Sequence, residues 1–501
     1  MKFESFHLLE ALRTVLTESV NLANPTPFEI QTDSRVLKAG DFFWPIRGDI
    51  FDGHDFIAEA VSKGCVGFVF SRPLEASMLA SIKMKKILLL CVKDTLLALQ
   101  TLATWVRDRV NPYVIAITGS NGKTTTKDLL GQILERFEKT VYSKKSFNNH
   151  LGVPLTLLSM EEGTKFAVLE MGMNHPGEIR NLLGIAKPNL GVVVNVSGAH
   201  LGNFSSFEAL VAAKAEMLDV LKEDGKLVLN SNLKRFEAFR DVFSACNFIG
   251  ENIPLNPPLL RGNLKDRKKL WDFGFGEKDV FCSWTSVKQT EPVEKTVLKI
   301  PLVIEGKTQM FELSMIGKHL AENVACAVTC CFVLGVPLSR IQEGVRNFKP
   351  SEMRMELCLL RGGIRLVNDA YNANPVSAEA AVRTLDELVF TGKKYLVLGN
   401  MEELGTHAEE AHRHLGEVIT KTLIDGVFTL GNWAKVTGIC VEKHSSKEVR
   451  HFEDKETMIH FLNQKLKPGD CLLIKGSRAN KLEKVAEGLQ KFFGVEEKTH
   501  V

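Results

Sequence analysis

Long apolar segments are missing from this 501-residue sequence. The longest, Ala325 to Leu338, is interrupted by Thr329 and Gly335, whereas a helix that crosses a bilayer needs about 20 apolar residues. No long apolar run follows Met1 either, so we expect no signal peptide. The sequence therefore predicts a protein that is not embedded in a membrane.

Cysteine pairs and an excess of one charge are missing as well. The ten cysteines include no C-x-x-C pair and no zinc-finger spacing, which argues against a cysteine-bound metal and is typical of a reducing cytoplasm. The 63 basic and 60 acidic side chains nearly balance, so the chain has no strong field that would attract nucleic acid. We expect a cytoplasmic monomer that binds no nucleic acid.

What the chain does have is length and alternating strand and helix patterns. At about 150 residues per domain, its length predicts roughly three domains. The predicted domains are residues 1–111, 112–349 and 350–501. From Ile364 to Ile474 strands and helices alternate, which predicts a parallel α/β sheet. Residues 231–313 are predicted to be irregular.

The strongest motif is a glycine turn between a predicted strand and a predicted helix. Val114 to Ile117 are apolar and mostly β-branched, and a helix is predicted from about Thr124 to Phe137. The turn between them contains Gly119, Ser120, Asn121, Gly122, Lys123, Thr124 and Thr125. Such a turn leaves backbone N–H groups directed at one place, where the helix dipole favours an anion.

This loop carries the residues that nucleoside triphosphates require. Lys123 can reach the outer phosphates, and the hydroxyl of Thr124 or Thr125 can bind Mg²⁺. Ile117 stands where the usual phosphate-binding loop has its first glycine, so the loop is a shortened variant. A chance glycine turn is the alternative, but the strand, the helix and the three threonines together favour phosphate binding.

Further ligand-type side chains follow later strands of the second domain. Glu170 ends an apolar strand, and such strand ends border the ligand crevice of open α/β sheets, so Glu170 is predicted to hold Mg²⁺. His200 follows the next predicted strand and is equally well interpreted as a ligand or as a loop histidine. Lys214 lies in a predicted helix from Phe207 to Leu221, where a surface charge is the simpler interpretation.

Polar residues also cluster in turns outside the phosphate loop. They are Thr32, Asp33, Ser34, Arg35, Asp52, Gly53 and His54 in the first domain, and Asn148 and Asn149 in the second. Local turns that join strands explain such a composition; the alternative is a pocket for an anionic ligand, with Arg35 and His54 as donors. A second binding surface is suggested by three polar clusters at strand ends of the third domain, which are Asn368 to Pro375, Gly399 to Gly405 and Lys475 to Arg478.

Taken together, these motifs resemble the Mur ligase family over nearly the whole chain. The shared features are Thr118 to Thr125, Glu170, His200, Lys214 and Asn323, and two longer runs, Glu170 to Ile179 and Tyr371 to Pro375, are specific. The chain departs from the family pattern at several positions. Asn368 and Asn400 stand in place of Asp, Leu320 in place of Asn, Met353 in place of Gly, and Asn230-Ser231-Asn232 in place of an Asn-Ala-Asp type run.

The resemblance implies three α/β domains and an amide ligase. A central P-loop-type mononucleotide-binding domain would be flanked by an N-terminal domain for a UDP-linked substrate and by a C-terminal Rossmann-like domain. The implied reaction consumes ATP, uses Mg²⁺, and joins D-alanyl-D-alanine to UDP-N-acetylmuramoyl-tripeptide through an acyl phosphate.

The resemblance also implies a role for each site residue. Lys123 would neutralise the β- and γ-phosphates, Thr124 and Glu170 would bind one Mg²⁺, and His200 would serve a second. Lys214 would be carbamylated and would then act as a magnesium ligand. Asn323 would face the adenine, and Arg354 and Asp369 would close on phosphate and ribose. The two other substrates would be bound by Thr32 to Arg35, Asp52 to His54, Asn148, Asn149, Tyr371, Asn372 and Asn374.

Four alternatives from the same motifs are a ligase that adds a single amino acid, a folylpolyglutamate-type ligase, a P-loop kinase, and a nucleotide-regulated binding protein without chemistry. The two specific runs count against the first two. A kinase would phosphorylate a hydroxyl group and need no amine, and a binding protein would show no turnover. Phosphate release with and without D-alanyl-D-alanine separates these possibilities.

Overall fold

The computed structural model describes residues 2–20, 27–48, 50–74, 87–198, 201–245, 270–275, 282–284, 288–289, 297–304 and 306–498. His200 and most of residues 246–296 lie outside the described residues. The chain divides into two compact units, which are residues 1–114, 139–169 and 181–188 in the first and 115–138, 170–180 and 189–501 in the second. The expected division at residues 111/112 and 349/350 stays a prediction.

Helices and strands alternate through most of the described chain. The α-helices are α1 (Ser5–Leu12), α2 (Ile57–Ser62), α3 (Thr95–Val110), α4 (Lys123–Glu135), α5 (Gly152–Leu158), α6 (Glu178–Ala186), α7 (Phe207–Ala215), α8 (Glu237–Ala245), α9 (Leu320–Val333), α10 (Leu338–Arg346), α11 (Pro375–Glu387), α12 (Ala408–Thr420), α13 (Asn432–His444), α14 (Lys455–Lys465) and α15 (Glu483–Phe493). The strands are β1 (Leu16–Val20), β2 (Ile30–Gln31), β3 (Phe42–Phe43), β4 (Gly67–Phe70), β5 (Leu88–Val92), β6 (Tyr113–Thr118), β7 (Thr140–Tyr142), β8 (Phe166–Glu170), β9 (Leu190–Val193), β10 (Lys226–Asn230), β11 (Leu270–Phe275), β12 (Cys282–Trp284), β13 (Lys288–Gln289), β14 (Leu298–Ile304), β15 (Lys307–Leu313), β16 (Glu356–Leu360), β17 (Ile364–Asp369), β18 (Lys394–Leu398), β19 (Gly426–Leu430), β20 (Glu448–Phe452), β21 (Cys471–Lys475) and β22 (Val495–Lys498). The predicted α/β class is confirmed.

The first unit contains a five-stranded sheet in the order β1-β5-β4-β3-β2. Strand β1 runs antiparallel to β5, and the other neighbours are parallel. Helix α3 is capped before its first residue by Asp94, whose carboxylate accepts from the amides of Leu96 and Leu97, and after its last residue by Asn111, which has the left-handed conformation. The indole of Trp44, which is fully buried, donates to the carbonyl of Thr95 at 2.8 Å and ties the sheet to this helix.

The second unit contains the strand that leads into the glycine turn. Strands β6, β9, β10, β11 and β12 are neighbours in that order and run parallel. Strand β14 then pairs antiparallel with β12 and with β15. Because parallel neighbours end at the same edge, the residues after β6, β9 and β10 are brought together there.

A seven-stranded sheet in the same unit has the order β20-β19-β18-β21-β17-β16-β22. Its first five strands are parallel, as predicted, but β16 pairs antiparallel with both β17 and β22 at one edge. The parallel sheet predicted for residues 364–474 is confirmed, because the antiparallel strands β16 and β22 lie outside that range. The antiparallel pair β16 and β17 is joined by a short turn at Gly362 and Gly363, both at positive φ, so no crossover helix is needed.

Two expectations differ from the structure. Residues 231–313 are predicted to be irregular, but the described residues among them form helix α8, strands β11, β12 and β13, and the antiparallel pair β14 and β15, in which alternate residues of β14 are buried. The predicted helix over 207–221 is α-helical only to Ala215 and continues as a 3₁₀-helix from Glu216 to Glu223. Within the described residues, no helix combines the length and the apolar character that crossing a membrane requires.

Candidate nucleotide site

The glycine turn has a backbone that only glycine adopts without strain. Gly122 has φ +76°, and a Cβ atom there would lie 2.1 Å from Oδ1 of Asn323. Gly119, at φ +154°, packs against the backbone of Asn195. Helix α4 begins directly after Gly122, so the first amides of this helix open at the turn, as an anion site requires.

The side chain of Lys123 is bonded to backbone carbonyls of the glycine turn itself. Its Nζ donates to the carbonyls of Gly119 at 2.7 Å and of Ser120 at 3.2 Å. Burial lowers the pKa of Lys123, Glu170 raises it, and Arg354 lowers it further. Lys123, Glu170 and Arg354 therefore lie close enough to interact electrostatically.

Thr124 and Glu170 form the pair of oxygen groups expected for Mg²⁺. The Thr124 hydroxyl donates to Oε2 of Glu170 at 2.8 Å, and both residues are buried. Arg354 Nη2 donates to the same hydroxyl at 2.8 Å. A hydroxyl and a carboxylate beside a phosphate-binding turn are the hard ligands that Mg²⁺ prefers, so this donor set fits the ion.

Lys214 is buried and donates to the same carbonyl of the glycine turn as Lys123. Only 1% of the residue is exposed, and its Nζ donates to the Gly119 carbonyl at 3.2 Å. Burial, followed by the charge of Lys123, lowers the pKa of Lys214 well below its ordinary value. The interpretation of Lys214 as a surface charge is wrong.

Residues from Arg354 onwards complete this surface. Asn374 Nδ2 donates to Oδ1 of Asn121 at 2.6 Å, and the Arg354 guanidinium stacks 4.3 Å from the centre of the Tyr371 ring. Lys475 joins Asp369 at 2.6 Å and donates to the carbonyl of Asn372 at 3.0 Å.

The three polar clusters of the third domain also meet. Ser477 Oγ donates to the carbonyl of Ala373 at 3.1 Å and accepts from the amide of Glu402 at 2.9 Å. The expected convergence of these strand ends is therefore observed. Their expected role as a substrate surface stays a prediction.

The predicted substrate residues of the first domain form local pairs. Asp33 and Arg35 are joined at 2.7 Å, and this bond lowers the pKa of Asp33 to about 2. His54 is buried, with Nδ1 2.6 Å from Asp52 Oδ1 and Nε2 accepting from the amide of Ser71 at 3.1 Å.

Neighbouring residues of these two clusters also serve local structure. Ser34 donates to Glu59 at 3.2 Å, and Gly53 lies against the backbone of Ile46. Thr32 precedes the Asp33 turn. Asn149 accepts from the amide of Gly152 at 2.9 Å, after the half-buried Asn148. These contacts are those of the turn interpretation, and the binding role of these residues stays a prediction.

Some predicted roles are not tested by this structure. His200 lies outside the described residues. Asn323 is buried beneath Gly122, with Oδ1 3.4 Å from the Thr126 hydroxyl, and its adenine contact stays a prediction. Among the described residues, no group of three or more His, Cys, Asp or Glu side chains is arranged to hold a metal.

The sequence-based prediction missed Glu322 and the two asparagines that it binds. Glu322 accepts from Asn195 at 2.8 Å and from Asn230 at 2.7 Å. Asn195 follows β9 and Asn230 is the last residue of β10, and both strands end at the edge where the loop lies. These positions at strand ends were the signal that sequence reasoning could have used. Nothing in the sequence around Glu322 distinguishes it from a surface glutamate.

Three family models match the chain. They are the Mur ligase family catalytic domain over residues 29–137, the Mur ligase middle domain over residues 117–249, and the Mur ligase glutamate ligase domain over residues 353–478. The UDP-N-acetylmuramoyl-tripeptide–D-alanyl-D-alanine ligase of Bacillus subtilis is 33% identical over 461 residues, which cover 92% of each chain. The ligase of the same name from Escherichia coli is 30% identical over 96% of this chain and 98% of its own.

Solved structures agree with these matches. A crystal structure of MurF from Acinetobacter baumannii has a TM-score of 0.81 and 27% identity, and covers 98% of this chain and 99% of that one. The MurF ligase of Thermotoga maritima in complex with ADP has a TM-score of 0.75 and 26% identity, with 93% and 97% covered. The motifs, the fold and these relatives agree: the chain belongs to the Mur ligase family.

Proposed function

We propose that this protein is an ATP-dependent ligase that joins D-alanyl-D-alanine to UDP-N-acetylmuramoyl-tripeptide in the cytoplasm. The observation that carries the proposal is the meeting of Lys123, Thr124, Glu170 and Lys214 at one glycine turn, with Arg354 bonded to Thr124. Relatives named for this reaction match the chain over most of their length, and a related ligase was crystallised with ADP.

The chemistry requires a nucleotide because an amine cannot displace oxide from a carboxylate. Transfer of the γ-phosphoryl group to the terminal carboxylate of the tripeptide gives an acyl phosphate. The amine of the dipeptide attacks this carbonyl carbon, and the tetrahedral intermediate collapses to the amide and phosphate, leaving ADP. Lys123 and Arg354 place positive charge where the anionic ATP and carboxylate meet, which stabilises the transfer.

The proposal includes Mg²⁺ held by Thr124 and Glu170, and a second ion served by His200. When bound, the metal supplies Lewis-acid stabilisation of phosphoryl oxygens. Lys214 would join these ligands after carbamylation, because a carbamate replaces a cation with a carboxylate-like group. Its buried amine, with a lowered pKa, is neutral more often than a surface lysine and is therefore nucleophilic towards CO₂.

The remaining predicted site residues bind the two other substrates in this proposal. Thr32 to Arg35, Asp52 to His54, Asn148 and Asn149 would contact the UDP-linked tripeptide. Tyr371, Asn372 and Asn374 would contact the dipeptide, and Asn323 and Asp369 would contact adenosine.

A phosphate-release assay tests the function. The purified chain with Mg²⁺, ATP and UDP-N-acetylmuramoyl-tripeptide is expected to release phosphate continuously only when D-alanyl-D-alanine is added. Continuous phosphate release when L-alanine, D-glutamate or diaminopimelate replaces D-alanyl-D-alanine in this mixture would indicate a ligase that adds one amino acid. Absence of release under all conditions, with correctly folded protein, would overturn the proposal.

Replacing Lys123 tests the role of the loop. Lys123→Ala is expected to reduce ligation by at least about a thousandfold, because one buried charge directed at the transferring group is lost. Lys222→Ala, at a largely exposed lysine paired with Asp219, is the matched control and should retain full activity. Both variants are compared by ligation rate and thermal unfolding midpoint. Near wild-type ligation by Lys123→Ala would exclude this role.

Carbamylation of Lys214 has its own measurement. Enzyme depleted of CO₂ is expected to lose activity and to regain it on addition of bicarbonate. The conservative variant Lys214→Arg should be inactive and insensitive to bicarbonate, since a guanidinium does not form the carbamate. If depletion and readdition leave wild-type activity unchanged, the lysine acts unmodified.

A further inference from the structure

We propose that Glu322 is a positioning residue of the nucleotide site, which orients the asparagine side chain that holds the phosphate loop. Glu322 lies in the first turn of α9, next to Asn323. Its Oε2 accepts from Asn195 Nδ2 at 2.8 Å, and its Oε1 accepts from Asn230 Nδ2 at 2.7 Å. One carboxylate therefore connects the start of a helix to the ends of the adjacent strands β9 and β10.

The carboxylate fixes how the Asn195 amide is turned. A carboxylate can only accept, so Asn195 must present its NH₂ group to Glu322 and its oxygen to the opposite side. That oxygen accepts from the backbone amide of Asn121 at 2.9 Å. The backbone carbonyl of Asn195 also accepts from the amide of Ser120 at 3.0 Å. Two successive amides of the turn are thus bound by a residue whose side-chain orientation Glu322 determines.

The second asparagine is fixed by three bonds and anchors the carboxylate. Asn230 Nδ2 donates to the carbonyl of Val194 at 3.0 Å as well as to Glu322, and its Oδ1 accepts from the amide of Asn232 at 3.0 Å. Rotation of this amide by 180° would break all three bonds. Glu322 Oε1 is therefore fixed by Asn230 at the end of β10. Its Oε2 binds Asn195, which in turn binds the phosphate loop.

The charged form of the Glu322 carboxyl group is stabilised by its two hydrogen-bond donors, Asn195 and Asn230. Glu322 keeps part of its surface exposed, but burial around the carboxyl raises its pKa, and the hydrogen bonds from Asn195 and Asn230 lower it. Removing the pairing leaves a partly desolvated acceptor or donor, which costs more than the bond itself contributes. The arrangement is consequently sensitive to exchange of a single acceptor for a donor.

Two single variants each disrupt this pairing. Glu322→Gln places an NH₂ group against the NH₂ of one asparagine, and Asn195→Asp places a carboxylate against that of Glu322. Each is expected to weaken ADP binding about tenfold. The KM for ATP should rise by a similar factor, while the KM for D-alanyl-D-alanine stays unchanged. Glu237→Gln, the same exchange at the exposed first residue of α8, is the matched control.

The double variant Glu322→Gln with Asn195→Asp restores every donor–acceptor pair. The new carboxylate at 195 accepts from Asn121 and from the new amide at 322, whose oxygen accepts from Asn230. The net charge of the pair is unchanged. We expect ADP affinity within about threefold of wild type, a non-additive recovery that a general loss of stability does not produce.

The inference rests on the proposed function only through nucleotide binding, and calorimetric titration with ADP separates the two. Wild-type protein that binds ADP but forms no amide would overturn the proposed reaction, while the ADP affinities of the variants would still decide the role of Glu322. The role is overturned if the single variants, folded as judged by thermal unfolding, bind ADP like wild type. It is also overturned if the double variant loses the sum of the two single losses.

Discussion

At the scale of single residues, Gly122 of the phosphate loop is subject to two constraints, one on its backbone angle φ and one on the space around its Cα atom. Gly122 needs a positive φ, and a Cβ there would lie 2.1 Å from Oδ1 of Asn323. The first constraint alone costs an alanine about 1–2 kcal/mol. The second displaces either the loop or the first turn of α9, and therefore affects the nucleotide site directly.

Gly122→Ala is accordingly expected to weaken ADP binding by more than about tenfold, because the loop must shift to relieve the contact. Gly163→Ala provides a matched control, since Gly163 also has a positive φ, of +81°, but no atom lies within 4 Å of a Cβ built there. Both variants should lose a similar amount of stability through φ, and only the first should lose ADP affinity. Calorimetric titration and thermal unfolding measure the two effects, and equal ADP affinities would contradict the argument.

The location of a site residue was predictable from the sequence where its position at a strand end or helix start determines where its side chain lies. The proximity of Gly122, Lys123 and Glu170 was predictable because a strand end and a helix start fix where a side chain must lie. The burial of Lys214 was not, because it depends on the packing of a helix distant in sequence from the loop. Glu322 was missed for the same reason: its partners, Asn195 and Asn230, are contributed by two other segments.

At the scale of elements, His412 connects helix α12 to the loop that follows β18. Thr437 Oγ1 donates to the carbonyl of His412 at 2.9 Å, so His412 Nδ1 must donate to that hydroxyl, at 3.0 Å. The other ring nitrogen, Nε2, accepts from the amide of Met401 at 3.0 Å. Only the neutral ring satisfies both bonds, and burial lowers the pKa of His412 to about 4.

This histidine makes stability dependent on pH in a defined window. In the unfolded chain it binds a proton near pH 6.5, whereas in the folded protein it does so only near pH 4. Its contribution is complete above pH 6.5 and is lost as pH falls towards 4, by at most about 3 kcal/mol. His412→Gln should therefore show a smaller fall of the unfolding midpoint over this range than wild type.

His414→Gln is the matched control on the same helix, because the His414 side chain is 63% exposed. It should retain the wild-type pH dependence. Thermal unfolding measured at several pH values between 6.5 and 4 distinguishes the variants. A wild-type slope in His412→Gln would show that another group controls stability in this range.

Whole elements were predicted well where one strand or helix carries its own pattern. Strands β6 and β8 are nearly wholly buried, and α3 has both an Asp cap and an Asn at its end. The hairpin β14–β15 was missed because Pro301 interrupts the strand pattern of β14. The edge strand β22 depends on pairing with β16, a segment far apart in sequence, which local patterns do not reveal.

At the scale of the whole molecule, residues far apart in sequence complete one site. Arg354 and Thr124, which are bonded at 2.8 Å, are 230 positions apart, and Asn374 and Asn121, bonded at 2.6 Å, are 253 apart. The glycine turn and its helix are therefore in contact with the C-terminal part of the chain through the side chains of Arg354 and Asn374. Since a phosphoryl transfer needs its donors positioned before reaction, these bonds are expected to set the rate of ligation as well as the affinity for nucleotide.

Asn374 allows the contact to be separated from the stability of its own helix. Its Oδ1 accepts from the amide of Ser377 at 2.9 Å and caps α11, while its Nδ2 reaches Asn121. Serine caps helices as well as asparagine does but is too short to reach the loop. Asn374→Ser should therefore change stability by less than about 0.5 kcal/mol and lower kcat/KM for ligation about tenfold. Asp454→Ser, at the cap of α14, should leave ligation unchanged, and equal kinetics in the two variants would mean that the Asn374–Asn121 bond is not used in catalysis.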